Sequence, residues 1–321
     1  MTPRTMELLG SQVTCASFAR FLRVDRAKAD PAFIFWLLQN LYNTRAIAQF
    51  NTQHTGVARF QFTTFCDTFA LYLPHISAQR RIAEILGAYD DLIEVNRRRM
   101  TLLEDMARGL FEEWFVRFRF PGHEAVAIVE TANYLIPEGW GRVKVGTMLR
   151  KFRRAEKVKK QDYDPTGTIP CVDQGSDFIG GYTHNSNALI DNPLPLCVFG
   201  DHTRILKFIT FPFASGADGT QLLYPTDGLT SEYLYFALAR IDLSNQHYAR
   251  HFKFLKEEII TLPPFDLVTR FTGLAKPLMK KVQNFRSQNR LLAASRDVLL
   301  PRLISGQLSV AATERELLKA A

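Results

Sequence analysis

The stretch from Gln79 to Phe118 limits what this chain can fold into more than any other. It contains no proline and two glycines, Gly87 and Gly109. Apolar residues recur at Ile82, Ile85, Tyr89, Ile93, Met100, Leu103, Met106, Leu110, Phe111, Trp114 and Phe118. Steps of three and four dominate, which gathers these side chains on one stripe of an α-helix. About 40 residues at about 1.5 Å each make a rod roughly 60 Å long. A rod of that length exceeds what a core helix of an ordinary domain needs, so its stripe requires a cover.

The same chain supplies one. Leu262-Pro263 repeats Leu73-Pro74, and from Pro74 to Pro263 the offset is 189 residues. At that offset Arg81 meets Arg270, Arg97 meets Arg286 and Leu102-Leu103 meets Leu291-Leu292. The apolar phase also agrees without a gap: Ile82 with Phe271, Ile85 with Leu274, Tyr89 with Leu278, Ile93 with Val282, Leu110 with Leu299, Trp114 with Leu303. This is an internal repeat of a long helix, each copy following a Leu-Pro stop. Two such stripes most simply bury each other as a coiled coil. The packing set is Ile82, Ile85, Tyr89, Ile93, Leu103, Leu110 and Trp114 against Leu274, Leu278, Val282, Phe285, Leu292, Leu299 and Leu303. The competing reading is two unrelated amphipathic helices, each packed on its own domain.

The chain of 321 residues has room for two domains, and an apolar fraction of 46% allows a sizeable core. A formal charge of +8 favours a polyanionic partner, nucleic acid before an acidic membrane surface. Cys15, Cys66, Cys171 and Cys197 are widely spaced with no C-x-x-C pair. They suit a reducing cytoplasm better than a disulfide framework or a zinc site. The N-terminus lacks a secretory pattern, and no apolar run is long enough to span a bilayer, so no membrane partner is expected.

In chain order, residues 1 to 76 read as an incomplete α/β unit. Ser17 to Val24 alternates like a strand, and Asp30-Pro31 starts a helix with Asp30 as N-cap. Gly56 to Phe62 and Thr68 to Leu73 read as a turn and two short strands. The first long helix occupies 77–120, broken by Phe120-Pro121-Gly122-His123, and 121–136 reads as a linker. Residues 137–264 form one complete unit, β-rich with long polar loops. Its strands are expected at Arg142 to Leu149, Ile169 to Val172, Leu196 to Phe199, Ile205 to Thr210, Gln221 to Tyr224 and Glu258 to Leu262. Thr230-Ser231-Glu232 caps a helix from Tyr233 to Ile241. The second long helix covers 265–306; Pro277 predicts a kink or restart near Lys276, Pro301 a disturbed last turn, and Gly306 the stop. Residues 307–321 are a tail, frayed from Ala311.

Several of these motifs together resemble one family. Gln79-Arg80-Arg81-Ile82 after Leu73-Pro74, then Leu110 to Phe115, is similar to the first constant helix of a specificity (S) subunit of Type I restriction-modification systems. Arg296 to Gly306 resembles the end of the second constant helix, and Pro137-Glu138-Gly139-Trp140 the opening of a target recognition domain. The resemblance implies an α+β fold: β-rich α/β target recognition domains joined by two long antiparallel helices that form a coiled coil. It implies DNA-sequence recognition without catalysis, each domain reading one half of a bipartite double-stranded site. It also implies two methyltransferase subunits docked on the helices, and restriction (motor-nuclease) subunits joining them. The chain would hold no cofactor of its own; its partners would use S-adenosylmethionine, ATP and Mg. On this resemblance residues 1–76 match the closing part of a first recognition domain, so the chain reads as N-terminally shortened. The alternative is a truncated scaffold that keeps the coiled coil and no longer reads DNA.

The residues themselves offer no catalytic set. Leu262-Pro263-Pro264-Phe265 lacks the Asn or Asp that an adenine methyltransferase motif needs, and reads as a strand stop before a helix. There is no P-loop, the histidines show no metal-ligand spacing, and Asp201-His202 reads as a loop contact. The DNA candidates are a basic run, Arg150, Lys151, Arg153, Arg154, Lys157, Lys159 and Lys160, suited to phosphates. Base readers need polar groups near a groove, and the loops offer Gln174, Asn185, Asn187, His202, Thr203 and Arg204. Asp218-Gly219 reads as a turn. Arg97, Arg98 and Arg99 face either DNA backbone or solvent.

Overall fold

The computed structural model describes residues 19–20, 22–54, 57–131, 134–151, 155–217, 219–245 and 250–309. Its helices in chain order are α1 Pro31–Asn43, α2 Phe62–Thr68, α3 Ile76–Phe111, α4 Ser231–Ala239, α5 His251–Glu257 and α6 Phe265–Ile304. The chain divides into two compact units, residues 1–98 with 286–321 and residues 99–285. Both long helices contribute to each unit.

In the first unit, α1 begins as the sequence dictates. Asp30 accepts from the N–H groups of Ala32 and Phe33 at 3.0 Å, and Pro31 supplies the first helical residue. Its apolar face, Phe33, Trp36 and Leu37, packs with Ile82, Ala83, Ile85 and Leu86 of α3 and with Leu300 and Leu303 of α6. Buried Gln79 ties the corner: its Oε1 accepts from Asp30 N at 2.9 Å and its Nε2 donates to the Pro74 carbonyl at 2.8 Å. Low numbers on α3 meet high numbers on α6: Asp90 pairs with Arg296, and Asn96 with Asn289. The two helices therefore run antiparallel here.

Strands β1 Asn51–His54 and β2 Val57–Phe60 form an antiparallel hairpin. The expected strand at Thr68 to Leu73 is absent: α2 occupies Phe62–Thr68, and 69–73 carry no regular structure. The rings of Phe65 and Phe69, four residues apart, pack with centroids 5.2 Å apart, and Phe50 meets both at 5.3 and 6.0 Å. A helical turn brings such a pair together, whereas a strand separates it. The strand expected from Ser17 is not formed at 22–24, and its first residues lie outside the described residues.

The second unit holds β3 Ile128–Thr131, β4 Tyr134–Pro137, β5 Gly141–Lys144, β6 Leu149–Arg150, β7 Ile169–Val172, β8 Gly181–Thr183, β9 Leu189–Ile190, β10 Leu196–Gly200, β11 Leu206–Ile209, β12 Phe213–Ser215, β13 Thr220–Pro225 and β14 Ile259–Leu262. One sheet has the order β11-β10-β13-β6, all antiparallel; another has the order β8-β7-β12-β9, in which β7 and β12 are parallel. Strand β10 is buried on both faces. Cys197 and Phe199 join the cluster around α4, while Leu196 and Val198 face Val172, Ile190 and Phe213 of the second sheet. The segment 121–136, expected as a linker, carries the β3-β4 hairpin; its largely exposed side chains leave no alternation to detect in sequence.

The helix pair of this unit is covered by aromatic rings. Phe111 lies 5.7 Å from Phe271, and Phe115 5.2 Å from Phe271 and 5.0 Å from Tyr233 of α4. Helix α4 is capped by Thr230, which accepts from Tyr233 N at 3.2 Å. The α-helical part of α3 ends at Phe111 in a π-turn, Glu112–Val116, that carries buried Trp114 and Phe115 into the core.

Two packing expectations are corrected. Leu274 is 51% exposed, and Ala275 and Met279 fill the seam with Phe271 and Val282. Met106 is 60% exposed and Ala107 is buried in its place. The repeat aligned Leu274 with Ile85, but in the first unit α1 covers the Ile85 side of the stripe. The rest of the set is buried or partly buried: Ile82, Ile85, Ile93, Trp114, Val282 and Leu303 fully, Tyr89, Leu103, Leu110, Leu278, Phe285, Leu292 and Leu299 in part. Helix α6 runs without interruption through Pro277 and into its last turn at Pro301, so no restart occurs. Pro277 and Gly273 both lie exposed, where solvent takes the carbonyl freed by the missing N–H. Gly306, at φ +75°, closes the helix, with Leu308 N–H donating to the Arg302 carbonyl at 3.0 Å. The tail from Ala311 lies outside the described residues.

Candidate nucleic-acid interface

Strands β7, β10 and β12 end together. Val172 pairs with Ser215, so Asp173 and Gly216 lie side by side where the parallel strands stop. A Cβ on Gly216 would sit 2.4 Å from Cβ of Asp173, so only glycine permits this approach. Asp173 then organises the loop that follows. Its Oδ1 accepts from Gly175 N at 2.8 Å and its Oδ2 from the Tyr163 hydroxyl at 3.1 Å.

Lys207 reaches this loop from β11. In the sequence Leu-Lys-Phe-Ile, period two places Lys207 on the same face as Ile209, toward the second sheet. Its side chain is 4% exposed. Its Nζ donates to the Asp173 carbonyl at 2.8 Å and to the Asp177 carbonyl, and lies 3.9 Å from Asp173 Oδ1. Burial lowers its pKa, and the charges of Asp173 and Asp177 oppose that shift. Burial and the neighbouring Asp173 push the Tyr163 hydroxyl well above its ordinary value. Together these hydrogen bonds hold the loop after β7 as a fixed frame.

On this frame three of the sequence candidates meet. Gln174 Oε1 accepts from His202 N at 3.1 Å, and Thr203 Oγ1 donates to the Gln174 carbonyl at 2.6 Å. Gly219, at φ +73°, packs against the Gln174 amide; its neighbour Asp218 lies outside the described residues. Arg204 is in the left-handed region at φ +62°, and its guanidinium donates to the Leu243 carbonyl at 3.0 Å. Asp201 is buried and structural: its Oδ1 accepts from Phe252 N, and its carbonyl from His251 N, both at 2.8 Å.

Asn185 and Asn187 form a separate group. Asn185 caps the turn Ser186–Ala188 by accepting from Asn187 N at 3.0 Å, and its Nδ2 donates to Glu156 Oε2 at 3.0 Å. Glu156 N in turn donates to the Asn187 carbonyl at 3.4 Å.

The basic run is split. Arg150 ends β6 opposite Tyr224, 3.6 Å from the fully exposed Asp227, and Lys151 beside it is exposed. Lys157 and Lys159 flank Val158, which is buried and bridges Gly216; alternation turns both lysines outward. Lys160 opens the short turn Lys160–Asp162 and is exposed. Arg153 and Arg154 lie outside the described residues. On α3, Arg98 pairs with Glu94 at 3.2 Å, and Arg99 lies over the Phe285 ring at 5.7 Å.

Asp173, Tyr163 and Lys207 escaped the sequence reading. A lysine inside the apolar run Leu206–Ile209 was the signal that could have found them. Among the described residues, no group of three or more His, Cys, Asp or Glu is placed to hold a metal ion, and no helix is long and apolar enough to cross a membrane.

No protein-family model matches the chain. The specificity subunit of the Type I restriction enzyme MjaIX of Methanocaldococcus jannaschii is 26% identical over 303 residues, covering 85% of this chain and 69% of that protein. The chain is homologous to Type I restriction specificity subunits. The EcoR124I/EcoR124II specificity subunit of Escherichia coli is 28% identical over 95 residues, 28% of this chain and 24% of that protein. In fold, the chain resembles the S subunit of a Type I restriction-modification system from M. genitalium. The TM-score is 0.52 at 15% identity, over 87% of this chain and 74% of that one.

Proposed function

We propose that this specificity-subunit homologue is the DNA-recognition subunit of a Type I restriction-modification complex and performs no chemistry itself. Residues 137–264 read one half of a bipartite double-stranded site. The antiparallel helices serve as spacer and docking surface for two methyltransferase subunits, with restriction subunits joining them. S-adenosylmethionine, ATP and Mg belong to those partners. The similarity to the MjaIX specificity subunit along 85% of the chain carries this reading. The outward lysines at the ends of β7 and β12 fit it, since Lys and Arg supply phosphate affinity without reading sequence.

The test is a mobility-shift assay of the chain reconstituted with modification subunits, against bipartite and scrambled duplexes. Preferential binding of one bipartite site is expected. Charge reversal at Arg150, Lys151, Arg153 and Arg154 weakens that binding; binding unchanged by the reversal removes this run from the interface. A complex that assembles and shows no DNA preference leaves the scaffold reading instead.

A further inference from the structure

We infer that Asn187 is a specificity-determining residue of the recognition unit, its carboxamide reading a base edge beside phosphate contacts made by Lys157 and Lys159. The inference rests on the DNA-recognition reading above and narrows it to one side chain.

The structure commits several of the polar loop candidates to the protein. Asn185 spends its oxygen on the Asn187 N–H and its amide on Glu156. Thr203 donates to the Gln174 carbonyl, and Arg204 to the Leu243 carbonyl. Asn187 differs from them. Its backbone is pinned on both sides, N–H to Asn185 and carbonyl to Glu156, while its side chain is exposed. A rigid backbone presenting an exposed polar tip is the arrangement that base reading requires. An asparagine carboxamide offers one acceptor and two donors, and it pairs bidentately with N6 and N7 of adenine in the major groove.

Its neighbourhood has the right charge. The bond from Glu156 N to the Asn187 carbonyl places Asn187 within one residue of Lys157. Lys157 and Lys159 project on one side of the extended segment that Val158 anchors at Gly216. Glu156, the acidic residue between them and Asn187, is occupied by the Asn185 amide at 3.0 Å. A cationic pair beside a fixed carboxamide separates positioning from reading on adjacent residues.

The two roles predict different phenotypes. The chain, assembled with modification subunits, is used to select duplexes from a library with randomised half-sites, and its binding is titrated against salt. Asn187→Ala is expected to relax preference at one position by about 5- to 150-fold and to leave the salt slope unchanged. The double variant Lys157→Ala, Lys159→Ala weakens all sequences together and reduces the slope by about 1.8. Asn187→Gln, which keeps the carboxamide on a longer arm, shifts or weakens the preference without altering low-salt affinity. An Asn187→Ala complex that keeps the full wild-type preference overturns the inference and leaves DNA recognition standing. A wild-type complex that selects no sequence overturns the recognition reading, and this inference with it.

Discussion

The side chains of Asn96 and Asn289 hydrogen-bond to each other across the helix pair of the first unit. Asn96 Nδ2 donates to Asn289 Oδ1 at 2.9 Å, and Asn289 Nδ2 donates to the Ile93 carbonyl at 3.2 Å. Asn96 is 5% exposed, one turn from buried Ile93. A buried carboxamide must find a partner, and only one alignment of α3 on α6 supplies this one. Asn96→Leu alone is expected to lower stability by about 1–3 kcal/mol, because it leaves Asn289 Oδ1 without its donor. The double change to leucine recovers most of that loss. Urea unfolding of the four variants in a double-mutant cycle checks the coupling.

The corrected phase of α6 gives a sharper contrast. Phe271 is fully buried among Phe111, Trp114 and Phe115, whereas Leu274 one turn on is exposed. Phe271→Ala should destabilise the second unit by about 3–5 kcal/mol. Leu274→Ala should stay within about 0.5 kcal/mol. Equal losses by denaturant titration would restore Leu274 to the seam.

Lys207 holds the loop after β7 by donating to two carbonyls beside the Asp173 carboxylate. Lys207→Met removes the donor and leaves those groups without it, a loss of about 2–4 kcal/mol. The amides of residues 173–180 should then exchange faster than those of β13. Uniform exchange across both segments would show that the lysine does not organise the loop.

Glu232 supplies a pH signature. It is buried in the first turn of α4, and burial raises its pKa, with its own backbone N–H and the Lys276 charge opposing. The native chain therefore keeps this proton to higher pH than the unfolded chain. Its contribution is greatest below the unfolded value of 4.5 and is lost as pH rises through the folded value. Glu232→Gln removes the ionisation, so the melting temperature should rise at neutral pH and its fall between acid and neutral pH should flatten. Parallel thermal melts across that range decide it.

Much of the fold was legible where a local rule and the tertiary environment agree. Asp30-Pro31 and Thr230 start their helices as capping chemistry requires, and Gly306 stops the last one in the left-handed region. Failures fell where a local signal was ambiguous. Phe62, Phe65 and Phe69 carry strand-forming composition but helical spacing, and the ring cluster with Phe50 decided in favour of the helix. Prolines 277 and 301 signal breaks, yet packing of the opposite face carries the helix through both.

The candidate site was legible only as residue types. The loops announced themselves by polar composition and the lysines by charge. Which amides are spent and which are presented depends on partners far apart in sequence, such as Asn185 with Glu156 and Thr203 with Gln174.

The sequence by itself determined the two long amphipathic helices, their repetition and the closing turns, because period, capping and glycine stereochemistry act over a few residues. Only the tertiary structure decided which face of each helix is covered, that Lys207 and Asp173 frame the loops, and that Asn187 stands outward beside Lys157. Those outcomes depend on burial and on long-range hydrogen bonds, and neither is written in any local stretch of the chain.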